Sequence, residues 1–468
     1  MYMRKTISGL FAALLAFGGA TGCGDFLSGN SVVNDPNNPT TATASNILGG
    51  VESEMWTEHE SQLALMSSIF MQQITGAGSG RFEDFYTVYQ FDPTSTSLDY
   101  SSMYVGGGLV DIKKLEALTT TNNDIVFRGV AEVYEAWTMT TVAAIWGDVP
   151  YSQAAQGTAF PTPDLDPQLT IYDALLVVLD NAIADLNSGI ESAGEPLPIA
   201  AELNFGGDPA LWTAVAHTLK ARIYMHMAEA RGPTMYAAAL AEANLGISSP
   251  LGDFKARHTT GANEGNLWAQ YNKSAFGRDV TAGPVILNLL TARADPRITE
   301  YFADVGGVFY LEGTRNAFDF AQPMVTYAEN ELIKAEATCA PTLVPTANPA
   351  TSCPGTGIFI NNVRATYGYA TPAPATPTLQ DIMEEKYLAM YQNIEAWSDW
   401  KRTCIPALVP TDPVPFGEVP GRLYYGDAEV NANPNYPGAA FENAHGGNPK
   451  SNPAFVGFRN PDDPNPCP

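Results

Sequence analysis

Val325, Ala328, Leu332 and Ala335 stand at i, i+3, i+7 and i+10 within Met324–Ala337, a spacing that puts them on one face of an α-helix. Two of the four are alanine, so a second helix can approach closely. Glu329, Glu331, Lys334 and Glu336 occupy other faces. The same period recurs along the chain. Ile47, Val51, Met55, Leu63, Met66, Phe70 and Ile74 give a helical pattern over 44–74. Asp124 is placed to cap a helix running to about Trp146, with Gly147 and Pro150 as its stop. Ile171, Leu175, Val178, Leu179, Ala182, Ile183 and Leu186 form a stripe, and Asp208-Pro209 opens the helical run that continues to Ala230. Residues 237–245 and 285–290 are helical, and Leu379–Arg402 reads as one long helix. A chain patterned in this way is mostly α.

Its 468 residues suffice for a large core, and the 41 glycines and 35 prolines predict long ordered loops between the helices. The formal charge of −26 excludes nucleic acid as a partner on electrostatic grounds, and excludes electrostatic adhesion to anionic headgroups. The sequence contains no HExxH, GxSxG, GxxxxGK or GxGxxG motif. Its five histidines are scattered, and His217 and His226, nine residues apart on one predicted helix, are not at ligand spacing. No cofactor or metal site is expected. Paired Asp residues, such as Asp164 with Asp166 and Asp462 with Asp463, lack an EF-hand pattern.

The N-terminus has the form of a targeting segment. A basic start ending at Lys5 precedes an apolar run over Ile7–Phe17, which is too short to span a membrane. Small residues then lead to Gly22-Cys23, the pattern of a bacterial lipobox in which Cys23 is lipidated, although Ala20 stands where an apolar residue such as Leu is usual. The alternative is an ordinary cleaved signal peptide. The resulting division is a lipoprotein-type signal peptide over 1–22, a Gly/Asn/Pro/Thr-rich tether over 23–43, and a single helical domain with loop insertions and a proline-rich tail over 44–468.

Several of these stretches also resemble one family. MVTYAENELIKAEA is similar to the "YAE-x-x-L-x-x-AEA" helix of SusD/RagB proteins, surface lipoproteins that capture nutrients on the outer membrane of Bacteroidota and related bacteria. Asp35–Thr40 resembles the family's "NP-NNP" segment, Gly147–Tyr151 its "GDVPY" loop, and Leu219–Arg222 its "LKLR" helix. Asp295-Pro296-Arg297 resembles its "DPR" turn, Asn361–Ala365 its "N-x-VRAR" helix, and Glu395–Arg402 its "EG-x-R-W-x-D-L-x-R" segment, with Ala396 departing from the usual residue. The resemblance implies a SusD-like fold of stacked, tetratricopeptide-like helix pairs with long loop insertions. It also implies a lipid-anchored protein facing the cell exterior, which binds a nutrient such as an oligosaccharide and delivers it, as a lid, to a SusC-like TonB-dependent transporter. No bond chemistry is implied. Two other readings stay open: a helical-repeat lipoprotein that binds peptide or protein partners, and a secreted glycoside hydrolase whose carboxylate pair has no recognisable signature.

Two aromatic-rich stretches are the candidate ligand site. Gly76–Tyr104 offers Phe85, Tyr86, Tyr89, Tyr100 and Tyr104, and Asn263–Asp279 offers Trp268 and Tyr271 with Asn272 and Lys273. Flat rings stack on the apolar faces of sugars, while amides and charged groups bond the hydroxyls. The same rings also serve to anchor long loops to a helical body. Besides Cys23, Cys339, Cys353, Cys404 and Cys467 allow three disulfide pairings. Cys339 and Cys353 flank a Pro/Thr/Ala-rich loop, which points to a bridge between them and leaves Cys404 for Cys467.

Overall fold

The computed structural model describes residues 42–192, 202–261, 263–273, 279–339, 348–408 and 419–436. The helical expectation holds. In chain order the elements are α1 (Ala44–Glu60), α2 (Gln62–Phe70), β1 (Ile74–Gly76), α3 (Phe82–Thr87), α4 (Ser97–Ser102), α5 (Leu109–Thr121), α6 (Ile125–Trp146), α7 (Gln168–Leu186), α8 (Pro209–Arg231) and α9 (Thr234–Ala243). There follow β2 (Phe254–Ala256), α10 (Leu267–Lys273), β3 (Val280–Ala282), α11 (Pro284–Ala292), α12 (Arg297–Tyr301), β4 (Ala303–Val305), β5 (Val308–Tyr310), β6 (Gln322–Val325), α13 (Tyr327–Cys339), α14 (Gly357–Thr366), α15 (Leu379–Ala389), α16 (Glu395–Thr403) and α17 (Asp427–Ala432).

The long helices pack on their sequence neighbours, α6 with α7, α8 with α9 and α13 with α14, and α8 also packs on α7 while α13 packs on α9. This is the stacked-pair arrangement that lets amphipathic helices bury a face they cannot bury alone. Local chemistry sets the ends. The Asp124 side chain accepts from Phe127 N at the start of α6, and Gly147, with φ near +80°, stops that helix. Asp208 caps α8, with Pro209 in the first turn. The loop insertions contribute a four-stranded antiparallel sheet in the order β1-β3-β5-β4 and a β2–β6 pair.

Three sequence boundaries are corrected. The 44–74 pattern is two helices and a strand, because Ser61 leaves helical geometry and Ile74 pairs with Ala282. Val325 lies in β6 opposite Phe254, and the Thr326 hydroxyl accepts from Glu329 N so that the helix starts after it. The stretch 379–402 is broken, since Gln392 takes a positive φ of 62° and the Asn393 side chain accepts from Glu395 N to begin α16.

Charges on these helices are buried rather than solvated. Glu329 and Glu336 of α13 are both fully buried. Arg222 of α8 grips Glu329 through two bonds of 2.6 and 2.7 Å. Arg402 of α16 holds Glu336 at 2.7 Å and Asp399, and Asp399 also takes Lys386 at 2.7 Å. Arg297 binds Asp295 at 2.6 Å and Glu385 of α15, whose other oxygen accepts from Arg364 at 2.9 Å. His226 Nε2 donates to Glu395 at 2.7 Å, and although burial opposes the carboxylate's charge, His226 and Arg222 hold Glu395 down at about 2. Bidentate geometry of this kind is what lets a desolvated charge persist.

Cys339 and Cys353 form the expected bridge, closing a loop of sequence separation 14. Cys404 is also disulfide-bonded, while Cys23 and Cys467 lie outside the described residues. Replacing Cys339 and Cys353 together with serine is expected to cost ~3 kcal/mol, the entropy of a loop this short, read as a lower urea midpoint with an unchanged slope. A midpoint equal to that of the wild type would refute a stabilising role.

Candidate functional site

The two aromatic stretches singled out in the sequence meet. Their stems pair as β1 and β3 in the register Ile74–Ala282, Thr75–Thr281 and Gly76–Val280. Arg81 reaches Asp279 at 2.9 Å, and the Tyr271 hydroxyl donates to Glu83 at 2.6 Å. Gly283 allows the approach, since a Cβ there would lie 1.9 Å from the Gln72 carbonyl oxygen. The Asp84 carboxylate accepts from Gly78 N at 2.8 Å and from Gly80 N, so the glycine-rich turn before α3 is folded onto its own helix.

Most of the candidate rings are packed inward. Tyr86, Tyr89, Tyr100 and Trp268 are all buried. Tyr86 and Tyr89 accept from Gln62 and Gln72, and Tyr100 shares a hydroxyl contact with Tyr436. Tyr104 donates to the Pro150 carbonyl at 2.9 Å and is half-buried, as is Tyr271. These side chains anchor the loops; burial leaves the four innermost no free ring face for stacking. In the first stretch Phe82, 72% exposed, and Phe85, 44% exposed, are the rings that face out. Asn272 bonds the Leu311 carbonyl, and Lys273 lies over the Phe318 ring at 3.9 Å.

Beside α10 opens a cleft with about 950 Å³ of empty space, between α1 and the segment 257–267. One wall is the α1 face carrying Ser53, Trp56, Thr57 and Glu60, and the other carries Arg257, His258, Asn263 and Glu264. Glu60 is buried, and its carboxylate takes His258 Nε2 at 2.7 Å and Leu267 N at 3.5 Å. Burial raises the Glu60 carboxyl, and the His258 bond draws it back. Thr259 Oγ donates to Glu264 at 2.6 Å, and Thr259 N bonds Glu264 O at 3.1 Å, which fixes the turn that bears Asn263. The cleft therefore combines the exposed Leu203 side chain with hydroxyl, amide, guanidinium and carboxylate groups. That mixture suits a ligand with one apolar face and a rim of hydroxyls.

Of the cleft's lining, only Asn263–Leu267 falls in a stretch that the sequence singled out, and the α1 face does not. The signal lay in the polar stripe Gly49, Ser53, Trp56 and Glu60, at i, i+4, i+7 and i+11, beside the apolar stripe that faces the core. Among the described residues no helix is long and apolar enough to cross a membrane, and no group of three or more His, Cys, Asp or Glu side chains is arranged to hold a metal ion.

The architecture is of the helical-repeat class, a stacked-helix scaffold with a cleft between α1 and the 257–267 segment. Residues 36–426 match a SusD-like family model described as "Starch-binding associating with outer membrane", and the chain belongs to the SusD-like family. The fold agrees. A structure titled as a chitin-binding protein superposes with a TM-score of 0.70 at 19% identity, covering 90% of this chain and 100% of that one. A SusD/RagB family protein from Bacteroides thetaiotaomicron gives 0.65 at 19% identity over 84% and 95% of the two chains. A SusD-like protein from the same species gives 0.66 at 18% identity over 88% and 97%. No curated protein sequence is significantly similar to the chain.

Proposed function

We propose that this chain is an outer-membrane lipoprotein, anchored through Cys23 and facing the cell exterior, which binds an oligosaccharide in the α1 cleft and delivers it to a SusC-like TonB-dependent transporter as a lid. The observation that carries this reading is the cleft itself, in which Arg257, His258, Asn263 and Glu264 face Ser53 and Thr57 of α1. The starch-binding description of the family and the chitin-binding description of a structural relative support a carbohydrate. The reading requires binding and release, with no bond cleaved. Tyr86, Tyr89, Tyr100, Tyr104, Trp268 and Tyr271 anchor the two aromatic stretches and do not line the cleft.

The test is a glycan array followed by calorimetry on the full-length protein in detergent, with the recovered glycan weighed by mass spectrometry. Arg257→Ala is expected to weaken the bound glycan by roughly 10-fold, the loss of a hydrogen bond from an exposed charged group. Peptide binding without glycan binding would replace the sugar reading, and shortened glycan products would replace binding with hydrolysis. Failure to co-purify with a β-barrel transporter would remove the lid role.

A further inference from the structure

A second cleft, with about 840 Å³ of empty space, lies on the α13 side of the molecule, and Glu300, Arg315, Phe320, Tyr327, Tyr367 and Tyr391 are among its lining residues. One of its cations, Arg315, closes no ion pair among the described residues, although its charge draws down the Glu300 and Glu60 carboxyls. Arg222, Arg297, Arg364 and Arg402 are buried like Arg315, and each of them grips a carboxylate. Arg315 is 6% exposed, yet no described carboxylate closes an ion pair on it, and its Nε has no hydrogen-bond partner. Its guanidinium is instead bordered by the rings of Phe320 at 5.0 Å and of Tyr301 and Tyr391 at 5.5 Å. The Tyr391 hydroxyl, on a residue 1% exposed, is likewise without a partner. Tyr391 is fixed by stacking on Tyr301 at 4.3 Å.

We propose that this cleft binds a small carboxylate-bearing ligand, with Arg315 and the Tyr391 hydroxyl as donors to the carboxylate and the aromatic walls against the ligand's body. A buried guanidinium Nε and a buried phenol hydroxyl, both left without acceptors, are what an anion would complete. The planar fork of an arginine matches a carboxylate. The other charges in the cleft select a single negative charge over a dianion. Lys255 is engaged by Asp253 at 3.1 Å, so it offers no second free cation. The Glu300 carboxyl, raised by burial and drawn back by Arg315, would repel a doubly charged phosphate more strongly than a carboxylate.

The experiment is calorimetry on the full-length protein in detergent at low salt. The probes are D-galacturonate, D-glucuronate, N-acetyl-alanyl-alanine, inorganic phosphate and, as a neutral control, D-galactose. At least one carboxylate is expected to bind, and Arg315→Gln to weaken it by ~10-fold or more, the loss expected of a charge-assisted hydrogen bond. Tyr391→Phe, which removes only the oxygen, is expected to weaken it by ~3-fold or more while the circular dichroism spectrum is unchanged. Arg257→Ala is expected to leave this binding intact, which separates it from glycan capture at α1. Binding of the sugar acids alone assigns acidic saccharides, and binding of the dipeptide alone assigns peptide carboxylates. The proposal is overturned if no carboxylate binds, if phosphate or galactose binds as well as the acids do, or if Arg315→Gln leaves the affinity unchanged.

Discussion

Glu385→Ala is expected to destabilise the protein by ~3–5 kcal/mol, the range for removing one partner of a buried ion pair. Glu385 is fully buried on α15 and serves three guanidinium groups. One oxygen accepts from Arg297 at 2.5 Å, and the other accepts from Arg364 at 2.9 Å and from Arg293 at 3.4 Å. Arg297 retains Asp295 after the substitution, and Arg293 retains Glu384. Arg364 retains only the Thr371 carbonyl at 3.2 Å and the face of Tyr369. A desolvated cation without an anion is then left between α14 and α15. The melting temperature should fall by roughly 6–10 °C, given a shift of about 2 °C per kcal/mol in a large chain. Arg231→Ala is the comparison, because the Arg231–Asp173 pair is exposed and worth no more than about 1 kcal/mol. Equal effects of the two substitutions would show that burial does not govern these pairs.

The second large effect is on pH. Burial, aided by a neighbouring carboxylate in each case, pushes Glu52, Glu58, Glu116 and Glu132 up to about 8. The neighbours are Glu202, Asp99, Glu135 and Asp185 respectively. An unfolded glutamate loses its proton near ~4.3. Between that value and about 8, the native state holds protons that the unfolded chain has released, so stability falls as pH rises. The contribution is complete below ~4.3 and gone once the pH passes the native values. Glu395 works in the opposite sense: held at about 2, it contributes above ~4.3 and is lost as pH falls towards 2. The protein should therefore melt several degrees higher near pH 5 than near pH 8.5. Surface repulsion from a net charge of −26 acts in the same direction. High salt separates the two, because it screens exposed charges and leaves buried ones largely untouched. A slope that persists in salt and is flattened by Glu132→Gln supports the buried carboxylates, and a slope abolished by salt refutes them.

The helices were legible because their burial follows a period that the apolar residues display directly. Their charges were not. On pattern alone, Glu329 and Glu336 belong to the polar side of an amphipathic helix, yet each is enclosed by an arginine from a helix far away in sequence. Those arginines, Arg222 and Arg402, sit in the stretches whose resemblance to the SusD/RagB family was noted, as do Arg297 and Arg364. The likeness is thus carried in large part by one set of buried ion pairs, which no local periodicity could expose. The 379–402 break was hidden because Met390, Tyr391 and Ile394 keep an apolar pattern through the turn. As for the candidate site, aromatic content marked two stretches that meet through β1 and β3, but it could not tell rings that anchor from rings that face out: Tyr86 is buried and Phe82, four residues earlier, is not. The polar face of α1 escaped because its strong apolar stripe drew the reading to the core.

The position of α16 has a consequence for biogenesis. Although it lies at residues 395–403, it packs on α2 near the start of the chain as well as on α6 and α8. In an open solenoid each repeat meets only its neighbours, and growth from one end adds finished units. Here the first pairs lack a wall until that late helix arrives. Trp397, which meets Phe70 edge-on at 5.3 Å, is part of that wall. Synthesis at ~5–20 residues per second keeps the two segments apart for tens of seconds. The N-terminal core therefore cannot close until residues 395–403 have been made, so a chain cut short before α16 leaves the Phe70 side of α2 without its cover.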